Sequence, residues 1–285
     1  MKQQGLREIL SLKNLHVRDT KIQFFEKEHK YVITFEPTIV YTSVTTWIHD
    51  NFEKFDADKV IEKMMKGKAW KEGHKYWGMT PENIKKQWDS NKIASNDGTK
   101  LHYDIECFYN NIELENYTNA DLLNYYNMSI CNTDFNKKSI EWNYFINFIR
   151  DYPDLKPYRT EWVVFNEDIK IAGSIDMVYE NKDGTLSIYD WKRCKNITRI
   201  NTFNKFGLQK AICHLPDSNF WHYTLQLNIY KYILESKYNK KISDLYLVRL
   251  HPDAEEKNYE LIKLPILIDE INELIQDRIK SINKL

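Results

Sequence analysis

The sequence predicts an α/β fold: a central mixed β-sheet flanked by helices, with a helical N-terminal part ahead of it. Two observations carry this. Residues 159–193 read as three consecutive strands, the last two joined by an Asp183-Gly184 turn. Helical patterning lies on either side, over about 56–150 before them and over 221–238 and 268–285 after them. Such an order layers helices on a sheet. With 42% hydrophobic and 29% charged residues, the 285-residue chain has a globular composition and the length for one large domain.

Each element has a local reason. Residues 22–41 alternate apolar and polar around "EKEHK", as a β-hairpin does. In "TSVTTWIHDNF", Thr42 or Ser43 caps the helix that follows. From about Asp56 to Tyr126 the pattern is helical, broken near "GMTPEN", where Thr80 caps and Pro81 occupies a first turn. A further helix from about Lys137 to Arg150 is stopped by the two prolines of "DYPDLKPY". "RTEWVVFN", "IKIAGSIDMVYE" and "LSIYDWKR" are the three strands. The helix "WHYTLQLNIYKYILESKY", the strands "ISDLYLVRLHP" and "YELIKLPIL", and the amphipathic "IDEINELIQDRIKSINKL" close the chain.

Composition excludes several classes. The 41 basic and 41 acidic side chains cancel, so a nucleic-acid partner has to be held by a local basic surface. No segment reaches the roughly 18 apolar residues of a membrane span, and "MKQQGLREILSLKNL" lacks an apolar signal core. Cys107, Cys131, Cys194 and Cys213 are widely spaced with no C-x-x-C, which suggests neither a zinc site nor a disulfide framework. The expectation is a soluble intracellular protein with reduced thiols, cytoplasmic or nuclear, and no membrane partner.

The chemistry concentrates in one hairpin. Asp176 interrupts the apolar run Ile175, Met177, Val178, and a carboxylate there is costly unless a partner such as a metal ion compensates it. Asp190 and Lys192 are two apart and project from one face of their strand. Two carboxylates beside a lysine suit phosphodiester hydrolysis: the acids hold Mg²⁺ or Mn²⁺, and the lysine orients water or meets charge on the phosphate. A solvent-facing Asp–Lys pair is the alternative. His102 is either a core or capping histidine or, with the hairpin, a further metal ligand. Glu106, one turn on, is placed to orient it. Gln226 and Tyr230 share a helix face. From Lys192 to Lys210 the chain carries Arg193, Lys195, Arg199 and Lys205 without an acid, with Phe203, Phe206, Phe220, Trp221 and Tyr223 interleaved or following. That suits a groove pairing phosphates with cations and stacking bases on rings, or else a solvated loop with its rings turned inward.

"GSID" on one strand and "YDWK" on the next resemble the core of the PD-(D/E)xK nuclease superfamily, in its RecB-type and lambda-exonuclease-like branch. "GTKLHYDIE", "LQLNIY" and "TSVTT" resemble that branch's histidine helix, Q-x-x-x-Y helix and N-terminal Ser-containing turn. The resemblance spans roughly Thr42 to Tyr232. It implies a restriction-endonuclease-like core in a single nuclease domain over 1–285, with 1–150 as hairpin and helical part and 151–285 as catalytic part. It implies that His102, Asp176, Asp190 and the Trp191 carbonyl hold Mg²⁺ or Mn²⁺, and that Lys192 positions the attacking water. Gln226 and Tyr230 would then face the scissile phosphate or Lys192. Glu161 would lie beside the ligands or on the DNA side without being one, and Ser43 and Thr45 near a DNA end unless they only cap. The basic residues Arg193, Lys195, Arg199, Lys205 and Lys210 would bind DNA, single- or double-stranded. The implied activity leaves 5′-phosphates, as an exonuclease in DNA replication, recombination or repair. A structure-specific or nicking endonuclease and an inactive DNA-binding module are the alternatives. No cysteine follows Cys213, so the iron–sulfur cluster of some relatives is not expected. No G-x-x-x-x-G-K-[ST] occurs, so neither a nucleotide cofactor nor a built-in motor is expected; a separate helicase or recombination protein stays compatible.

Overall fold

The structure, a computed structural model, describes residues 8–89, 92–111, 116–129 and 139–283. Cys131 and the expected helix start at Lys137 lie outside them. In chain order the elements begin with α1 (Ile9–Lys13), β1 (Ile22–Phe25), β2 (Lys30–Ile33), β3 (Thr42–Ser43), α2 (Val44–Asp50), α3 (Ala57–Met65), α4 (Pro81–Asp89) and α5 (Lys92–Tyr109). There follow α6 (Asn119–Ser129), α7 (Ile140–Asp151), β4 (Lys156–Asn166), β5 (Ile171–Glu180), β6 (Leu186–Lys192), α8 (Asn219–Lys237), β7 (Ile242–Arg249), β8 (Glu260–Lys263) and α9 (Ile268–Ile282). The chain divides into two compact units, residues 1–53 with 102–285, and residues 54–101. Among the described residues, no helix is long and apolar enough to cross a membrane.

The larger unit is built on a mixed six-stranded sheet. β4, β5 and β6 form the expected antiparallel meander, β7 joins β6 in parallel, and β8 pairs antiparallel with β7. The pairing around β5 shapes the site. β4 runs along one edge of β5 for its whole length. On the other edge β3 pairs with Ile171 and Ala172, and β6 pairs only from Met177 to Glu180. Residues 173–176 lie between those two partners, where β6 leaves β5 and continues against β7 alone.

Alternation along β6 sorts its side chains to two layers. Leu186 and Ile188 enter the main apolar cluster with Leu225, Ile229 and Ile233 of α8, Leu274 of α9 and Trp47 of α2. Tyr189 and Trp191 enter a ring layer with Tyr179 and with Phe145 and Phe148 of α7. Asn228 ties α8 to the start of α9, accepting from Leu267 N at 2.8 Å and donating to the Pro265 carbonyl at 2.9 Å.

Two segments depart from expectation. The N-terminal hairpin is confined to β1 and β2; after Ile33 the chain turns, with Glu36 N donating to the Ile33 carbonyl, and Pro37 brings no N–H to extend a ladder. The long helical run breaks near "GMTPEN" as expected, but the break is longer, covering residues 66–80. Gly73 (φ +94°) and Gly78 (φ +80°) adopt left-handed conformations that no helix contains. In the smaller unit α3 and α4 are therefore joined by a turn-rich segment, and the first part of α5 also belongs to it. Asp56 caps α3, accepting from Lys59 N at 3.1 Å, and Thr80 caps α4, accepting from Asn83 N at 3.3 Å, with Pro81 in its first turn as expected.

Candidate metal centre

Extending the strand registers places three carboxylates in one row across the sheet. Thr160 pairs with Met177 and Trp162 with Ile175, so Glu161 of β4 falls opposite Asp176 of β5. Met177 pairs with Tyr189, so the next step sets Asp176 opposite Asp190 of β6. The ladder opens at that step. Trp191 N donates to Asp176 Oδ2 at 3.0 Å, so the carboxylate takes the place of a strand acceptor where β6 turns away.

His102 of α5 closes the group. Its Nδ1 stands 3.4 Å from Asp176 Oδ2 and 4.0 Å from Glu161 Oε1. The ligand atoms of His102, Glu161 and Asp176 all lie within 4.8 Å of one another. Asp190, expected among the ligands, stands next in the row with other contacts. Its Oδ1 accepts from Gln226 Nε2 at 3.4 Å, and its Oδ2 lies 2.7 Å from Lys192 Nζ. That ion pair is buried, with Asp190 almost wholly shielded from solvent. Glu161, expected outside the ligands, is inside the convergent group, with its other oxygen accepting from Ser174 Oγ at 2.9 Å.

Electrostatics describe a group short of positive charge. Burial, then Asp176, pushes the Glu161 carboxyl up to about 8, with Glu106 and Asp190 adding to it. Burial also raises Asp190, to about 6, against the pull of Lys192 and with the push of Asp176. For Lys192, burial alone would lower the ammonium; Asp190 and Asp176 outweigh it and hold the pKa raised. Like-charged carboxylates in one row cannot all ionise cheaply without a counter-cation. Two carboxylates and an imidazole, with ligand atoms within 4.8 Å of one another, form a donor set that fits Mg²⁺ or Mn²⁺.

α8 backs the row. Gln226 and Tyr230, one turn apart, share a face of α8 as their spacing predicts, with Gln226 touching Asp190 of β6 and Tyr230 lying against Gly173 of β5. Lys192 instead lies over the Tyr223 ring, with Nζ 4.5 Å from its centroid. A Cβ on Gly173 would sit 2.7 Å from Tyr230 Oη, so glycine there lets the tyrosine lie on β5. Tyr31 of β2, which the sequence reading did not single out, also reaches this field: burial, then Glu161, raises its hydroxyl to about 12.

The other expected residues scatter. Ser43 caps α2, its Oγ accepting from Thr46 N at 3.0 Å, and Thr45 Oγ1 lies 3.0 Å from Ser43 Oγ. Arg193 Nε donates to Glu141 of α7 at 2.6 Å, and Lys205 pairs with Glu53 at 2.9 Å. Arg199 lies over the buried Phe220 ring. Lys195, Arg199 and Lys210 are exposed, as are Phe203 and Phe206, whereas Phe220 belongs to the core. The Trp191 side chain is buried among rings while its amide serves Asp176. Neither a scan against protein-family models nor a search of curated proteins finds a match for the chain.

Proposed function

We propose that the chain is a divalent-cation-dependent nuclease that hydrolyses DNA phosphodiesters, leaving 5′-phosphates, and that it works as an exonuclease. One observation carries the reading: Glu161, Asp176 and Asp190 in a row across three strands, with His102 at one end and Lys192 beside the other. The resemblance of "GSID" and "YDWK" to the PD-(D/E)xK core points to the same chemistry, and the exonuclease assignment rests on that branch. His102, Glu161 and Asp176 would hold the cation, with Asp190 as a further donor. Bound Mg²⁺ or Mn²⁺ supplies a Lewis acid for the phosphoryl oxygen and lowers the pKa of its water. Lys192, kept protonated by Asp190 and Asp176, orients the attacking water and offsets charge growing on the phosphate. Gln226 fixes Asp190 from behind. Lys195, Arg199 and Lys210 offer exposed cations to the DNA backbone. Attack on phosphorus with departure of the 3′ oxygen yields the 5′-phosphate.

The test is cleavage of linear and covalently closed DNA with Mn²⁺, Mg²⁺ or EDTA. Wild type digests the linear form alone, only with metal. Asp176→Ala and Lys192→Ala each lose at least about 10²-fold in rate while keeping the wild-type circular dichroism spectrum. Full activity in either variant overturns the proposal; nicking of the closed circle keeps the nuclease and replaces exonuclease with endonuclease.

A further inference from the structure

The smaller unit carries a surface that the hydrolytic site does not use. Between residues 63 and 77, "KMMKGKAWKEGHKYW", five lysines stand against one acid, in a chain whose net charge is zero. Lys66 pairs with Glu62, but Lys68, Lys71 and Lys75 are exposed. The same stretch holds a run of rings in contact. Trp70 meets His74 at 5.0 Å and Trp77 at 5.8 Å between ring centroids, and His74 meets Tyr76 at 6.0 Å. Trp77 is 48% exposed, an unusual state for the largest apolar side chain.

These rings are held in place although the segment is neither helix nor strand. Consecutive turns fix the backbone: His74 N donates to the Lys71 carbonyl at 2.9 Å and Trp77 N to the His74 carbonyl at 2.8 Å. Trp88 Nε1 of α4 donates to the Tyr76 hydroxyl at 3.0 Å, pinning the far end. Core formation does not account for the arrangement, since Ile61, Ile84 and Leu101 are the buried apolar side chains of the unit among the described residues.

We propose that this segment is a binding surface for single-stranded nucleic acid, with bases stacking on Trp77 and Trp70 and phosphates pairing with Lys68, Lys71 and Lys75. Charge complementarity selects the occupant: a polyanion that also offers flat apolar faces matches lysines interleaved with indoles. Bases stacked in a duplex do not present those faces, so the single strand is preferred. The inference is independent of the hydrolytic reading, because binding here needs no metal.

The experiment measures fluorescence anisotropy of a fluorescein-labelled oligo-dT 20-mer with the full chain in EDTA, where no metal-dependent cleavage occurs. Trp77→Ala weakens binding about tenfold, within the range for loss of one stacked base, and Trp77→Phe restores most of it. Lys68→Glu with Lys71→Glu lowers the slope of log K against log salt by about 1.4, as two lost phosphate contacts require. A duplex of equal length competes more weakly than the single strand. Unchanged binding in Trp77→Ala, or equal competition by duplex, overturns the proposal. So does a loss confined to the Lys195→Glu, Lys210→Glu double variant, which would place all binding on the basic loop after β6.

Discussion

Strand β6 carries two neighbouring side-chain sets that solve burial in opposite ways. Tyr189 and Trp191 enter the ring layer, where polar atoms answer one another: the Tyr109 and Tyr179 hydroxyls are hydrogen-bonded, and both residues are fully buried. Asp190 and Lys192 enter the acidic row, where one ion pair leaves carboxylates in excess. Three carboxylates there face one lysine and one histidine, and burial raises two of the acids. A layer of rings with paired hydroxyls carries no charge to compensate. A row of like charges is eased by a cation, and that difference is what the proposed metal site rests on.

The largest effect on stability should come from the ring layer. Trp191 is 2% exposed and packs at 5.5 Å from both Phe145 and Phe148. Trp191→Ala is expected to cost about 3–5 kcal/mol, read by urea unfolding, as large-to-small core changes do. Trp191→Phe should recover most of it. A loss below about 1 kcal/mol would mean that this layer is not the close-packed core described.

The acidic row should instead respond to pH and metal. Glu161 and Asp190 have folded-state pKa values raised to about 8 and about 6, against about 4 in an unfolded chain. The folded chain therefore binds more protons than the unfolded one across that window, so metal-free stability falls as pH rises from about 4 to 8. Thermal melts in EDTA should show Tm declining from pH 5 to pH 8, and Mn²⁺ should cancel the decline by occupying the ionised row. Glu161→Gln should flatten the EDTA curve and weaken Mn²⁺ binding about tenfold or more, the scale of losing a ligand or its close support. A flat wild-type curve in EDTA would remove the electrostatic argument for the site.

How much of this could be read from the sequence follows from the range of each signal. Asp176 in its apolar run and Lys192 two residues after Asp190 were legible, because strand alternation is local. So were the Asp183-Gly184 turn and the Ser43 cap. Glu161 was not, because its place depends on the β4–β5 register and on a left-handed φ of +43° that no local pattern announces. A non-glycine residue there stores about 1–3 kcal/mol, a strain that recurs at functional sites. The partners of the basic stretch were not legible for a related reason. Arg193 and Lys205 are engaged by Glu141 and Glu53, acids far earlier in the sequence that only the fold brings to them.

The smallest effect is the sharpest test of the comparison. If the Tyr109 and Tyr179 hydroxyls depend on each other, removing one deprives the other of a partner, whereas removing both does not. Tyr179→Phe leaves the Tyr109 hydroxyl buried without that partner and should cost about 1–3 kcal/mol. Tyr109→Phe should cost less, because Asn119 also reaches the Tyr179 hydroxyl. The double variant should be less destabilised than the two single costs added, with a coupling of about 1 kcal/mol in a double-mutant cycle. Strict additivity would show that the two hydroxyls do not depend on each other, and the two faces of β6 would then differ in charge alone.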